Sequence, residues 1–525
     1  MYAMEELTLG NLLRKKATTH RGETFVKFRE GALTFGEVEQ MAGRLAHGLA
    51  DHGVAQHEHV AVMLPNCEDF IAVIFALARL GAVAVPINIE YKGNLLRHVL
   101  ATSDTTTLVV DEPYVERVTA VEADLRNVRS VVVRTDRAVD RSLRTPAVRL
   151  TDLLGNAADA PRATVRFCDL QAIMYTSGTT GPSKGVLVPH ALALTCALDS
   201  MKFMAHQPDQ TVYCPLPLYH AAGLWDGMMM ALLAGSPLAV VERCSASQFW
   251  DDVRAFGATQ AMGVFDLIPI LLNRPPTATD RDHPLRRFYM GKSVLDAPLF
   301  ERFGVHAVET YTSTEVGIGT ASPFGEWRIG SCGQANSERY EVMVVDEQDR
   351  EVRPGEPGEI VVRPKQPYVI TTGYYNYPEA TAKSFRNLWF HTGDRAYRDD
   401  DGYFYFVDRI KESIRRGGEN ISAFEVEQPV NGHPAVLESA AFGVPSELAE
   451  EELKVAVVLQ PGAELAPDAL VAYCRERLPG FMVPRYVEFV DELPRTGTGK
   501  IARHALREAG DGGITDRTWD AKRVR

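Results

Sequence analysis

No two cysteines in this chain are spaced as C-x-x-C, and no apolar run reaches the ~18 residues a membrane-spanning helix needs. The seven cysteines, Cys67, Cys168, Cys196, Cys214, Cys244, Cys332 and Cys474, stand singly. An odd, scattered set fits neither a disulfide framework nor a zinc site; it reads as buried structural thiols in a reducing compartment. A basic face is missing too: 69 Asp and Glu outweigh 56 Lys and Arg, for a formal net charge of −13. That excludes broad nucleic-acid binding, which needs clustered cations. It leaves room for phosphates held locally by backbone N–H groups and a few side-chain cations. The opening Met-Tyr-Ala-Met-Glu-Glu-Leu has neither the basic n-region nor the apolar h-region of a signal peptide. A cytoplasmic protein without a membrane span is expected.

What is present is a chain of 525 residues, about three times a typical domain, so two or more domains are expected. Thr34 and Glu37 form a capping box that opens a helix with Val38, Met41, Ala42, Leu45 and Leu49 on one stripe. Gly53 closes it. Val60–Leu64 then reads as a buried strand, Asp69–Leu80 as a helix, and Ala82–Pro86, after Gly81, as a second strand. Strand, helix, strand at this spacing is a βαβ unit, and Thr107–Val110 and Ser130–Val133 continue the pattern. Between Tyr340 and Val362 short strands flank a Pro-Gly-rich turn, which predicts antiparallel structure. Beyond Arg409 lies a compact α/β segment of the size of a small domain, and the Gly- and charge-rich stretch from Asp511 is expected to fray. The fold class is therefore α/β. A large N-terminal domain (1–410) of βαβ subdomains carries a β subdomain, and a small mobile α+β domain (411–525) follows it.

The segment Tyr175–Val186 concentrates hydroxyls, glycines and one lysine directly after the apolar Ala172-Ile173-Met174. Glycines let the backbone approach a phosphate, hydroxyls donate to it, and Lys184 supplies charge. It is not a Walker A loop, because Lys184 is followed by Gly185 rather than Ser or Thr. The segment resembles the signature of the adenylate-forming superfamily: acyl- and aryl-CoA ligases, peptide-synthetase adenylation domains and luciferases. Further segments similar to that family's motifs follow in order. They are Tyr311-Thr312-Ser313-Thr314-Glu315, His391-Thr392-Gly393-Asp394, Arg409, Arg415–Ile421 and Pro494–Lys500. The overall layout is most similar to crotonobetaine/carnitine-type acyl-CoA ligases.

The resemblance implies ATP, Mg²⁺ and CoA as reactants and cofactor, and a small acid as substrate. By it, Thr176, Ser177, Gly178, Thr179, Thr180 and Lys184 hold phosphates, and Tyr311 stacks on adenine. Thr314 contacts the α-phosphate, Glu315 holds magnesium, Asp394 and Arg409 bind the ribose, and Lys500 is the catalytic lysine. A carboxylate beside phosphates makes sense only with a cation between them. The family's small domain takes two orientations. One brings Lys500 in for adenylation; the other brings Gly417-Gly418 in for transfer, about a hinge at Lys411. His220 aligns with a gating position near the acid pocket, a plain packing role being the alternative. Arg415 and Arg416 read as a solvated pair rather than as CoA-phosphate ligands, and Trp225 and Trp250 read as core. Oligomeric state is left open, homodimers being common among similar enzymes.

Two departures from the family pattern fall near the expected acid pocket. Met290-Gly291-Lys292-Ser293 stands where two glycines or Gly-Gly-Ala are usual, and Thr312 stands where glycine is usual. A threonine there narrows the space beside the α-phosphate, and Lys292 either faces solvent or adds a positive charge. The principal expectation is adenylation of a small carboxylic acid followed by transfer to CoA. The alternatives are an ATP-dependent diazotase activating nitrite for an aryl amine, and another non-CoA acceptor. A catalytically dead scaffold would not keep Lys184, Glu315, Asp394, Arg409 and Lys500 together.

Overall fold

The computed structural model describes residues 2–139, 142–155, 163–176, 182–263, 267–409, 413–446, 450–495 and 501–523, without the side chains of Asp408, Arg409, Ser413 and His504. Ser177, Gly178, Thr179, Thr180, Lys411 and Lys500 lie outside the described residues. The chain divides into two compact units. The first comprises Met1–Ile89, Val99–Tyr175 and Gly185–Asp408; the second comprises Glu90–His98, Thr176–Lys184 and Arg409–Arg525.

The first unit is built on two seven-stranded sheets. In one, His59–Met63 pairs in parallel with Val83–Pro86 and with Thr107–Asp111, and the latter pairs with Ser130–Arg134. The βαβ unit read from the sequence is present: the intervening helix is Glu68–Leu80, and Gly81 ends it at φ +68, a left-handed cap that glycine adopts without Cβ strain. These strands are buried on both faces, which is why they read as continuous Val and Ala runs rather than alternating ones. The Thr34–Glu37 capping box forms as read: Thr34 accepts from the Glu37 N–H at 3.2 Å, and the Glu37 carboxylate accepts from the Thr34 N–H at 2.7 Å. It opens the helix Phe35–Asp51.

The second large sheet is also parallel except at its Thr24–Phe28/Gly31–Thr34 edge, with Thr211–Cys214, Ala258–Met262, Arg287–Tyr289 and His306–Val308 side by side. Its core contains Tyr213, Phe249, Phe288 and Phe303. The segments at the carboxyl ends of these strands are Pro215–His220, Gly263, Met290–Lys292 and Glu309, which leads into a hairpin beginning at Thr310. That edge is where open parallel sheets bind ligands. The antiparallel change after Tyr340 is also present: Tyr340–Val345 pairs with Gly358–Pro364, which pairs with Trp389–Arg398.

The second unit holds a four-stranded sheet, with Val436–Pro445 antiparallel to Glu451–Leu459 and Tyr486–Phe489 parallel to it. The stretch after Asp511, expected to fray, is instead tied in. Trp519–Asp520 adds an antiparallel edge strand, and both Asp520 oxygens accept from Arg485 at 3.1 Å. Lys454, 2% exposed, donates to the Gly513 carbonyl and the Thr518 hydroxyl. A buried ammonium needs those partners, so the tail that completes them is held despite its polar composition. Three cysteines also depart from the buried reading: Cys67 and Cys168 are half-buried and Cys244 is exposed. Among the described residues no helix is long and apolar enough to cross a membrane.

Candidate nucleotide and acid site

Thr310–Ser313 and Gly317–Ala321 form an antiparallel hairpin whose tip is Thr314-Glu315-Val316. Gly317, at φ +74, lets the chain turn back there. A Cβ at Gly317 would also come within 3.2 Å of Cys196 Cβ. Thr312, Ser313, Thr314 and Glu315 are half-buried at this tip. The Glu315 Oε1 accepts from the Tyr374 hydroxyl at 3.0 Å, and its carbonyl accepts from the Thr371 N–H at 2.7 Å. Burial raises the Tyr374 phenol far above its ordinary range, and the Glu315 carboxylate adds to the shift, so Tyr374 stays a donor.

Tyr311 is 6% exposed and its hydroxyl donates to Asp394 Oδ2 at 2.7 Å. Asp394, itself 5% exposed, lies in the strand Trp389–Arg398. The strand's bend at Gly393, φ +74, is held by Glu359, which accepts from the Gly393 N–H at 2.9 Å and binds the His391 ring at 2.9 Å. The fold thus joins two motifs 83 positions apart, Tyr311–Glu315 and Asp394, through one hydrogen bond. Arg409 ends the strand Phe404–Arg409; its side chain is outside the described set.

At the carboxyl edge of the second large sheet, His220 is half-buried beside Tyr219, ring centroids 4.8 Å apart. Its loop is pinned by Asn66, which donates to the carbonyls of Leu216 and Val241 and accepts from the Leu218 N–H at 2.7 Å. Gly291 has no room for a side chain, since a Cβ would lie 2.7 Å from Ile268 Cδ1 and 2.9 Å from Ala307 Cβ. Lys292 is half-buried, and its charge acts on Glu309, whose carboxylate accepts from the Ser293 N–H and hydroxyl at 2.7 Å each. Burial nevertheless raises the Glu309 carboxyl above its usual range. The Lys292 charge works against that shift, but its effect is smaller than that of burial.

Thr176 ends the strand Leu170–Thr176 and Lys184 begins Lys184–Pro189. Between them Ser183, fully buried, donates its N–H and hydroxyl to Glu425 Oε1 at 2.9 and 2.6 Å within the second unit. Gly417 and Gly418 form a two-residue turn between Ser413–Arg416 and Glu419–Ser422. Arg415 and Arg416 are not a solvated pair: they bind Glu450 at 3.0 Å and Glu452 at 2.8 Å. Among the described residues no group of three or more His, Cys, Asp or Glu is arranged to hold a metal. A magnesium ion bound mainly through phosphates needs only one or two protein carboxylates, and Glu315 at its hairpin tip fits that demand. The sequence reading missed Asn66, Glu309, Glu359 and Tyr374. None sits in a recognisable motif, and only the polar Asn66 after an apolar strand carried a local signal.

The AMP-binding enzyme family matches residues 13–375, and its C-terminal domain matches residues 425–500. The chain belongs to the AMP-binding enzyme family. It is thus an adenylate-forming enzyme. A crotonobetaine/carnitine–CoA ligase of Salmonella arizonae is 32% identical over 486 residues, covering 90% of this chain and 93% of that protein. A probable CoA ligase of Humulus lupulus is 32% identical over 518 residues, covering 96% of each. The structure of an amide bond synthetase from Marinactinospora thermotolerans superposes with a TM-score of 0.82 at 24% identity, over 95% of this enzyme and 99% of that chain. The last likeness bears on the fold alone.

Proposed function

We propose that this AMP-binding enzyme adenylates a small carboxylic acid with ATP and transfers the acyl group to CoA. The observation that carries the reading is the Tyr311–Asp394 hydrogen bond beside Glu315. It ties an aromatic ring to a buried carboxylate, with the Glu315 carboxylate at the tip of the same hairpin, which supports an adenylate site in which Asp394 would bind ribose and Glu315 a metal. The names of the relatives support CoA as acceptor. The attacking carboxylate is already ionised near neutral pH, so no general base is required. Attack on the α-phosphate brings like charges together. Thr314 and Lys500 would donate to the oxygens on which charge develops, each such contact being worth roughly 10²–10³ in rate. Glu315 would hold Mg²⁺, which offsets phosphate charge when bound. The loop from Thr176 to Lys184 would cradle the phosphates, Asp394 and Arg409 the ribose, and Tyr311 the base. His220, Gly291, Lys292 and Thr312 would shape the acid pocket. Gly417 and Gly418 would serve the transfer step, and Lys411 the change of domain orientation between steps.

The test is pyrophosphate release by the purified enzyme with Mg²⁺ and ATP. The panel contains aliphatic acids, aryl acids and nitrite, each with CoA or an aryl amine. Release with a carboxylic acid together with thioester formation is the expected outcome. Release with nitrite and an aryl amine, and none with any carboxylic acid, would replace the ligase with a diazotase while leaving adenylation standing.

A further inference from the structure

The Gly417-Gly418 turn joins strands that pair Arg416 with Glu419, and both glycines have positive φ, +59 and +80. This is the two-residue hairpin geometry of type I′, in which the second glycine's N–H belongs to no strand ladder. Two adjacent glycines also give the most yielding backbone a turn can have. Here that N–H is taken. Glu450 Oε2 accepts from the Gly418 N–H at 2.8 Å, and Glu450 Oε1 accepts from Arg415 Nε at 3.0 Å. The Glu450 side chain is only 3% exposed. Its neighbours continue the arrangement. Glu451 accepts from the Arg415 N–H at 2.9 Å, in space that exists because residue 443 is glycine: a Cβ there would lie 2.3 Å from the Glu451 carboxyl carbon. Glu452 pairs with Arg416, which also donates to the Val483 carbonyl at 2.7 Å. Three successive carboxylates, Glu450 before the strand Glu451–Leu459 and the next two within it, thus fasten the two residues before the turn, and Glu450 also reaches the turn itself.

A buried carboxylate committed to one peptide N–H and one guanidinium fixes both in direction as well as distance. We infer that Glu450 is a positioning residue for the acceptor-transfer step: it sets the orientation of the Gly417-Gly418 turn through the Gly418 N–H. This inference rests on the proposed role of that turn in transfer and names the group that holds it. Arg415 and Arg416 then serve the turn's geometry and carry no phosphate of the acceptor.

The experiment compares the native full-length enzyme with Glu450→Ala and Glu450→Gln, using an acid found active in the pyrophosphate panel. Acid-dependent exchange of pyrophosphate into ATP reads the first step, thioester formation with CoA reads the second, and hydrogen exchange of the peptide spanning 413–422 reads the turn. Expected are unchanged pyrophosphate exchange, a transfer kcat lowered roughly tenfold to 10²-fold in Glu450→Ala with KM for CoA unchanged, and faster amide exchange at the turn. Glu450→Gln keeps an acceptor for the Gly418 N–H and is expected to recover most of the lost kcat. Equal loss of both steps would mark a merely structural role and overturn the inference, as would unchanged transfer in Glu450→Ala. A native enzyme that adenylates the acid but makes no thioester would sink the transfer reading itself. That result is distinct from a native enzyme whose transfer Glu450→Ala equals.

Discussion

At the scale of single residues, Asp226 is the most consequential side chain outside the proposed chemistry. It is 2% exposed, and its Oδ1 accepts from the Ser200 hydroxyl and, at 3.4 Å, from the Cys196 thiol. Among the described residues no cation is paired with it; the groups acting on it are Ser200, Cys196, Tyr289 and Asp199. Burial raises its carboxyl to about 7, the two donors lower it, and Asp199 raises it further. Well below the unfolded-chain value of 3.8 the group is neutral folded and unfolded alike, so its burial costs little. As pH rises from there to about 7 the unfolded chain ionises while the folded one resists, and stability falls; above about 7 the cost levels off. Asp226→Asn is therefore expected to be more stable than the native enzyme by on the order of 3 kcal/mol at pH 8. The gain should be much smaller at pH 5, as denaturant midpoints would read. A gain independent of pH would contradict this account. A second prediction at this scale separates the half-reactions: Lys500→Ala is expected to abolish adenylate formation while sparing CoA attack on a supplied acyl-adenylate. Equal loss of both would remove Lys500 from its assigned role.

At the scale of elements, the helix Phe35–Asp51 shows how closely the layers meet. A Cβ at Gly48 would lie 1.4 Å from the Leu153 carbonyl oxygen, an approach only glycine permits. Gly48→Ala must push backbone away from backbone. It is expected to cost about 2 kcal/mol or more, whereas Gly31→Ala, with open space around it, should be near neutral. Thermal unfolding of the two variants checks this, and a native-like melting temperature for Gly48→Ala would contradict the packing described. The hairpin Thr310–Ala321 illustrates a different dependence. Its strands are short, and its tip is fixed less by its own sequence than by Tyr374 and Thr371, about sixty residues downstream. Loop residues that carry function commonly rely on such distant supports.

At the scale of the whole molecule, the net charge of −13 makes bound ATP an added load unless local donors and a cation meet it. Occupying the site should therefore stabilise the enzyme strongly only with Mg²⁺ present. At one hundred times Kd the expected gain is about 2.7 kcal/mol. Glu315→Gln should lose the magnesium-dependent part of the thermal shift; an undiminished shift would take Glu315 out of metal binding. The sequence by itself determined the α/β class, the first βαβ unit, the capping box and the order of the nucleotide motifs. Each of these is written in residues adjacent along the chain, as periodicity, caps or glycine spacing. The tertiary structure decided what those residues touch. It bonded Tyr311 to Asp394, gave the buried Glu309 carboxylate the Ser293 N–H and hydroxyl, and turned Arg415 and Arg416 from surface charges into anchors of a glycine turn. It also secured the tail after Asp511 through Asp520 and Lys454. The physical reason is common to all four: a buried charge or hydroxyl must find a partner, and the partner is set by the fold rather than by distance along the chain.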